Sequence, residues 1–190
     1  MINITKIYID QGHNPEGVNA GAEGNGLREQ DINYDVGIYL AELLRENGNF
    51  DVRLSRPTPE TTLGTSNSTS LQARVSDANS WGADYFISIH SNASENTDAN
   101  GTEVYVYSRT SPAFPLAEDI QQEIVERLGT RDLGVKENPS LYVLRRTDMP
   151  ALLIELAFIT NEGDAELLRD ERYMFAYAIC QGILKFFNLR

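Results

Sequence analysis

Short runs of β-branched and aromatic residues alternate with stretches of helical periodicity along the whole chain, and that alternation limits the fold more than any other feature. The strand-like runs are residues 6–10, 50–54, 85–89, 103–107 and 151–154. Between them Ile32, Val36, Leu40, Leu43 and Leu44 recur at helical spacing, as do Leu71, Val75 and Ala78, then Ala113, Ala117, Ile120, Ile124 and Leu128, and finally Phe175, Ile179, Ile183, Phe186 and Phe187. The pattern predicts an α/β fold, one domain over residues 1–190, with a mostly parallel twisted sheet and helices on both faces. The run at 151–154 is apolar at every position and reads as a central strand buried on both sides. Residues 12–26, 56–70 and 91–101 read as loops, and 130–149 as irregular with a short strand at 141–144.

In open α/β sheets, functional groups gather beyond the carboxyl ends of the parallel strands. The two histidines of this chain both stand at such ends, His13 after the first run and His90 after the third. Glu155 closes the apolar run at 151–154, and Glu29 opens the first helix. Two imidazoles and one carboxylate match the three nitrogen or oxygen ligands of a catalytic zinc, which keeps a fourth position for water. The remaining carboxylate is then free to move protons. Glu29 lies in a polar first turn where the helix dipole favours negative charge, so its pKa is expected to stay low, as suits a ligand. Glu155 sits among Leu152, Leu153, Ile154, Leu156 and Phe158, so burial is expected to raise its pKa, as suits an acid/base. Read alone, Glu29 is equally an ordinary helix-dipole partner. These residues by themselves support a metallohydrolase and no finer class.

The balance of charge narrows the partners. A formal net charge of −12 with scattered basic residues, of which Arg145-Arg146 is the only adjacent pair, excludes the clustered cations that nucleic acid binding requires. No run of about twenty apolar residues exists to span a membrane. Residues 1–9 begin as a strand and carry no leader of the secretory type, so no signal peptide is expected in this chain. The single cysteine, Cys180, falls in the apolar pattern of the last helix and is expected to be a buried structural thiol. A monomer is expected.

Longer segments carry a resemblance. Ile7-Tyr8-Ile9-Asp10-Gln11-Gly12-His13, Asn19-Ala20-Gly21-Ala22 with Glu29, Ser88-Ile89-His90-Ser91-Asn92-Ala93, and residues 150–161 from Pro150 through Glu155 to Asn161 resemble the zinc-dependent N-acetylmuramoyl-L-alanine amidases of the Amidase_3 family. Leu54-Ser55-Arg56, Ala73-Arg74 with Ala78-Asn79, and Gly101-Thr102-Glu103-Val104 agree with the same family in order. The resemblance implies one Zn2+ held by His13, Glu29 and His90, with Glu155 as the catalytic glutamate. It implies a peptidoglycan substrate, cleaved at the amide between the lactyl group of N-acetylmuramic acid and L-alanine, by a bacterial or phage enzyme secreted or released to the cell wall. Where the family commonly has Asp-Pro-Gly-His-Gly-Gly, this chain has Asp10-Gln11-Gly12-His13-Asn14-Pro15, so the loop after the first histidine is expected to differ in shape. Loops 56–70 and 91–101 are too short and polar to hold the inhibitory helix of some members, which predicts an open site.

Substrate contacts are read from position. Asn92 either meets substrate or caps its own loop, and Arg145 and Arg146 either meet stem-peptide carboxylates or form a solvated pair. Two rival functions differ in the ligands they require. A carboxypeptidase-like metallohydrolase calls for a His-x-x-Glu pair and a third histidine, which this chain lacks, and a peptidoglycan-binding module without catalysis would have lost Glu155 or a ligand.

Overall fold

In the computed structural model, which describes residues 4–189, the elements follow one another as β1 (Thr5–Gln11), β2 (Glu23–Gly24), β3 (Leu27–Arg28), α1 (Glu29–Asn47), β4 (Phe50–Leu54), α2 (Asn67–Trp81), β5 (Tyr85–Asn92) and β6 (Thr102–Val106). They continue with α3 (Phe114–Leu128), β7 (Asp132–Glu137), α4 (Tyr142–Arg146), β8 (Ala151–Phe158), α5 (Glu162–Asp170) and α6 (Arg172–Phe186). The main sheet runs β4-β1-β5-β8-β6-β7. All its pairings are parallel except β6 with β8, which is antiparallel. The α/β class and the mostly parallel sheet are therefore as the sequence predicts, and β8 is the central, doubly buried strand. Among the described residues no helix is long and apolar enough to cross a membrane.

Strand alternation sends two kinds of residue to the two faces. Ile7 and Ile9, Ile87 and Ile89, Val104 and Val106, and Leu152, Ile154 and Leu156 join the apolar sides of α1, α3, α5 and α6 in the larger core. The opposite face carries Tyr8, Phe86, Ala151 and Leu153, under Val75 and Ala78 of α2 and Val143 and Leu144 of α4, in a much smaller cluster. At the carboxyl ends of the strands this thinly covered face turns polar, with Asp10 opposite Ser88, His90 opposite Glu155, and Glu155 opposite Glu103. At the amino ends, Phe186 and Phe187 at the close of α6 pack edge-on against Tyr85 at the start of β5, and Phe187 against Phe50 at the start of β4. Cys180 is 3% exposed in α6, and burial pushes its thiol up to about 11, as a structural cysteine requires.

Four local readings change. The apolar stretch at 141–144 is not a strand: it forms the single-turn helix α4, whose length is too short to show a period. Within the segment read as irregular, β7 pairs with β6 as an edge strand that charged residues and Gly134 (φ 77°) disguise. Helix α2 begins at Asn67, four residues earlier than its apolar repeat suggests, because Ser66 and Thr69 cap each other's backbone N–H groups. Residues 162–170, unassigned from the sequence, form α5, whose Asn161 side chain caps Asp164 N–H.

Candidate metal centre

Glu29 owes its place to a hairpin. Asn25 (φ 51°) and Gly26 (φ 74°) form the two-residue turn between β2 and β3 that requires left-handed backbone at both positions, hence Asn-Gly. The turn is tied down by Asn25 Nδ2, which donates to the carbonyl of Ile159 just past β8 (2.9 Å), and it delivers the chain directly into α1 at Glu29. Glu29 is 5% exposed. Its Oε2 accepts from Ala22 N–H (2.9 Å), and its Oε1 from Ser91 N–H (3.1 Å) and Asn33 Nδ2 (3.3 Å).

His13 lies two residues beyond β1 with φ 70°, a conformation that a side chain rarely adopts without support. Support comes from Arg74 of α2, whose Nη2 donates to the His13 carbonyl (2.8 Å), and from the His13 ring, whose Nδ1–H donates to the carbonyl of Asn19 (3.1 Å). That bond fixes the tautomer and leaves Nε2 with a bare lone pair. Arg74 is itself 1% exposed and ion-paired to Asp10 (2.6 Å), whose other oxygen accepts from Ser88 Oγ (2.8 Å). Burial alone would raise the Asp10 pKa, but the charge and hydrogen bonds of Arg74 outweigh it and hold the carboxyl below its ordinary value.

The two imidazoles and the carboxylate converge. His13 Nε2 lies 3.1 Å and His90 Nδ1 3.0 Å from the same atom, Glu29 Oε1, and the three donor atoms all fall within 4.8 Å of one another. With Nδ1–H committed to Asn19, a neutral His13 points a lone pair at a carboxylate oxygen, an arrangement that needs a proton or a cation between them. Ligands at about 2.0–2.1 Å from a tetrahedral zinc stand about 3.3 Å apart, close to the two shorter separations here. The residues therefore fit a zinc ion in both donor chemistry and spacing. Burial opposes the charge on Glu29, but hydrogen bonding to both imidazoles and their charge hold its carboxyl far below the usual range. The His13 and His90 side chains are 20% and 19% exposed, so the cluster opens to solvent.

Glu155 stands beside His90 in the β5–β8 register, and just beyond that pair the register slips, a bulge of the kind that re-aims side chains near functional sites. Its Oε2 is buried without a hydrogen-bond partner among the described residues. Burial, then the charges of Glu29 and Glu103, raise its pKa well above the ordinary carboxylate value. Glu103, directly across on β6 and 4% exposed, accepts from Asn92 Nδ2 (2.8 Å) and Tyr105 OH (2.7 Å) and pairs with Lys136 of β7. This network was not assigned a role from the sequence. The signal was the alternation itself, which sends Val104 and Val106 to one face and Glu103 and Tyr105 to the other.

The remaining candidates are the proposed substrate contacts. Asn92 spends its amide on Glu103 and its carbonyl on Ala93 N–H (2.9 Å), so both ends of its side chain are already engaged within the protein. Arg145 and Arg146 are exposed at the end of α4, and Arg145 lines a surface cavity with Tyr107, Met149, Pro150 and Ala151 at the start of β8. Leu141, Tyr142 and Val143, around the start of the same short helix, line a cavity with His13 and His90.

A family profile described as N-acetylmuramoyl-L-alanine amidase matches residues 7–185. The chain is 38% identical over 190 residues to N-acetylmuramoyl-L-alanine amidase CwlM of Bacillus licheniformis, covering 98% of this chain and 70% of that protein. It is 41% identical over 189 residues to N-acetylmuramoyl-L-alanine amidase LytC of Bacillus subtilis (strain 168), covering 96% of this chain and 35% of that one. Among solved structures, an N-acetylmuramoyl-L-alanine amidase from Clostridium difficile 630 superposes with a TM-score of 0.87 at 33% identity, over 98% of each chain. Fold, profile and relatives agree, and the chain belongs to the N-acetylmuramoyl-L-alanine amidase family of peptidoglycan hydrolases.

Proposed function

We propose that this domain is a zinc-dependent amidase in which His13, Glu29 and His90 hold the metal and Glu155 moves the proton. The observation that carries the reading is the convergence of two imidazole nitrogens on one carboxylate oxygen, 3.0 and 3.1 Å away, beside a glutamate with one buried, unpartnered oxygen. When bound, zinc supplies Lewis-acid polarisation of a carbonyl and of a water molecule. Glu29, anchored by two backbone N–H groups, and His13, locked by Asn19, keep the ligand atoms in place before the metal arrives. Glu155 accepts the proton of the attacking water as a carbon–oxygen bond forms at the lactyl carbonyl. It then delivers that proton to the alanine nitrogen as the carbon–nitrogen bond breaks. Its raised pKa suits both halves of the exchange.

The enzyme acts as a monomer on peptidoglycan at the cell wall, through a site that no inhibitory segment of residues 4–189 covers. Mass spectrometry of digested peptidoglycan tests the reading: free L-alanine amino termini are expected with the isolated domain. They should vanish with a chelator and return with zinc. Glu155→Gln should bind one zinc yet lose about 10²–10⁴-fold in rate. Turnover that survives the chelator, or a Glu155→Gln variant as fast as its parent, overturns it.

A further inference from the structure

Next to the two imidazoles, on the thinly covered side of the sheet, lies a half-enclosed cavity of 130 Å³. His13 and His90 line it together with Asp10, Asn19 and Arg74, and Leu71 of α2, Leu141 and Val143 around the start of α4, and Leu153 of β8 form its apolar part. Positioning a metal and a proton carrier does not require the apolar part. Its continuity with the imidazoles means that a group one bond from a bond reacting at the cluster reaches it. Two methyl groups flank the scissile amide. The lactyl methyl is borne on the carbon ether-linked to a sugar of a strand that continues in both directions, whereas the alanine methyl hangs from a branch. A cavity walled on its far side suits the branch.

We propose that this cavity is the subsite for the side chain of the residue whose amide nitrogen is released, and that it admits apolar side chains larger than methyl. The inference rests on the metal-site reading above. Its size carries the second half: 130 Å³ approaches the roughly 150 Å³ of an apolar cavity that takes benzene, far more than a methyl group fills. Alanine is thus accepted here without being selected by tight fit.

The test uses N-acetylmuramoyl tripeptides beginning with glycine, L-alanine or L-valine, plus a glycolyl analogue of the alanine compound that lacks the lactyl methyl. Values of kcat/KM are compared for the unmodified protein, Leu71→Ala and Leu141→Phe, both at partly exposed positions, with melting curves to confirm folding. Calorimetric binding of the same series to Glu155→Gln reads the subsite independently of turnover. Alanine is expected to exceed glycine by about tenfold, with valine within about tenfold of alanine. Leu141→Phe should remove the acceptance of valine, and Leu71→Ala should raise it. Ratios among glycine, alanine and valine that no variant changes, in rate and in binding, overturn the proposal. So does a Leu141→Phe variant whose loss tracks the lactyl methyl instead. Failure of the metal-site reading shows separately, as chelator-insensitive turnover, while the binding series still reports on the cavity.

Discussion

Replacing Arg74 by methionine keeps most of the side chain's bulk and removes a guanidinium that five oxygens surround. These are Asp10 Oδ1 at 2.6 Å, Gln11 O at 2.7 Å, His13 O at 2.8 Å, Asn14 Oδ1 at 3.3 Å and Ser55 Oγ at 3.4 Å. Asp10, 1% exposed, would keep only the Ser88 hydroxyl. Breaking a buried ion pair from one side costs about 3–5 kcal/mol. For a domain of this size that is a fall in Tm of about 6–20 °C. The pH dependence follows from the direction of the Asp10 shift. In the parent, burial raises the pKa but Arg74 lowers it further, so the carboxylate contributes stability above the unfolded value of about 3.9 and loses it as pH falls through the lower folded value. In Arg74→Met the main opponent of burial is gone, the folded pKa rises, and protonation relieves the penalty. The stability gap is therefore widest near neutral pH and narrows toward about pH 4. Urea denaturation of both proteins across that range is the assay, with Asp10→Asn/Arg74→Met expected to recover part of the loss. Zinc affinity of the folded variant should also fall by about 10–100-fold, because His13 loses the donor that holds its backbone at φ 70°. A loss under about 1 kcal/mol, or a gap that stays constant with pH, refutes the reasoning.

Glu103→Gln removes a charge that faces Glu155 across β6 and β8, so the acid limb of the kcat/KM profile should move to lower pH; an upward shift would contradict the electrostatic assignment. An added Cβ at Gly12 would stand 2.4 Å from His90 Cε1 and 2.5 Å from Nε2, so Gly12→Ala should weaken zinc binding at least about tenfold in an isothermal titration. At Gly182 of α6 the added atom would stand 2.6 Å from the Cα of Ile120 in α3. Gly182→Ala should therefore cost about 1–3 kcal/mol in thermal unfolding while leaving activity per folded molecule unchanged, which separates packing from chemistry.

The strands of the parallel part were legible because burial on the sheet faces leaves apolar runs, and the long helices because one stripe of each is apolar. What escaped lacked either mark. The strand β7 lies at an edge with a glycine inside it, α4 is a single turn, and the Asn25-Gly26 hairpin has arms of only two residues. In the site, Glu155 stood out as an acid in an apolar run. Glu103, 4% exposed, sits in an alternating run that mimics a solvent-facing strand, and its pairing with β8 helps to enclose it.

The aromatic contacts that seat the end of α6 against the beginnings of β4 and β5 also determine how the domain can be tethered. Ile4 precedes β1 and Leu189 follows α6, so both ends of the described polypeptide leave from the rear of the sheet, a full strand length from the imidazoles. In a longer protein, an anchor joined at either point would act like a handle behind a blade. It could grip the polymer without crossing the cutting edge, whichever end it occupied.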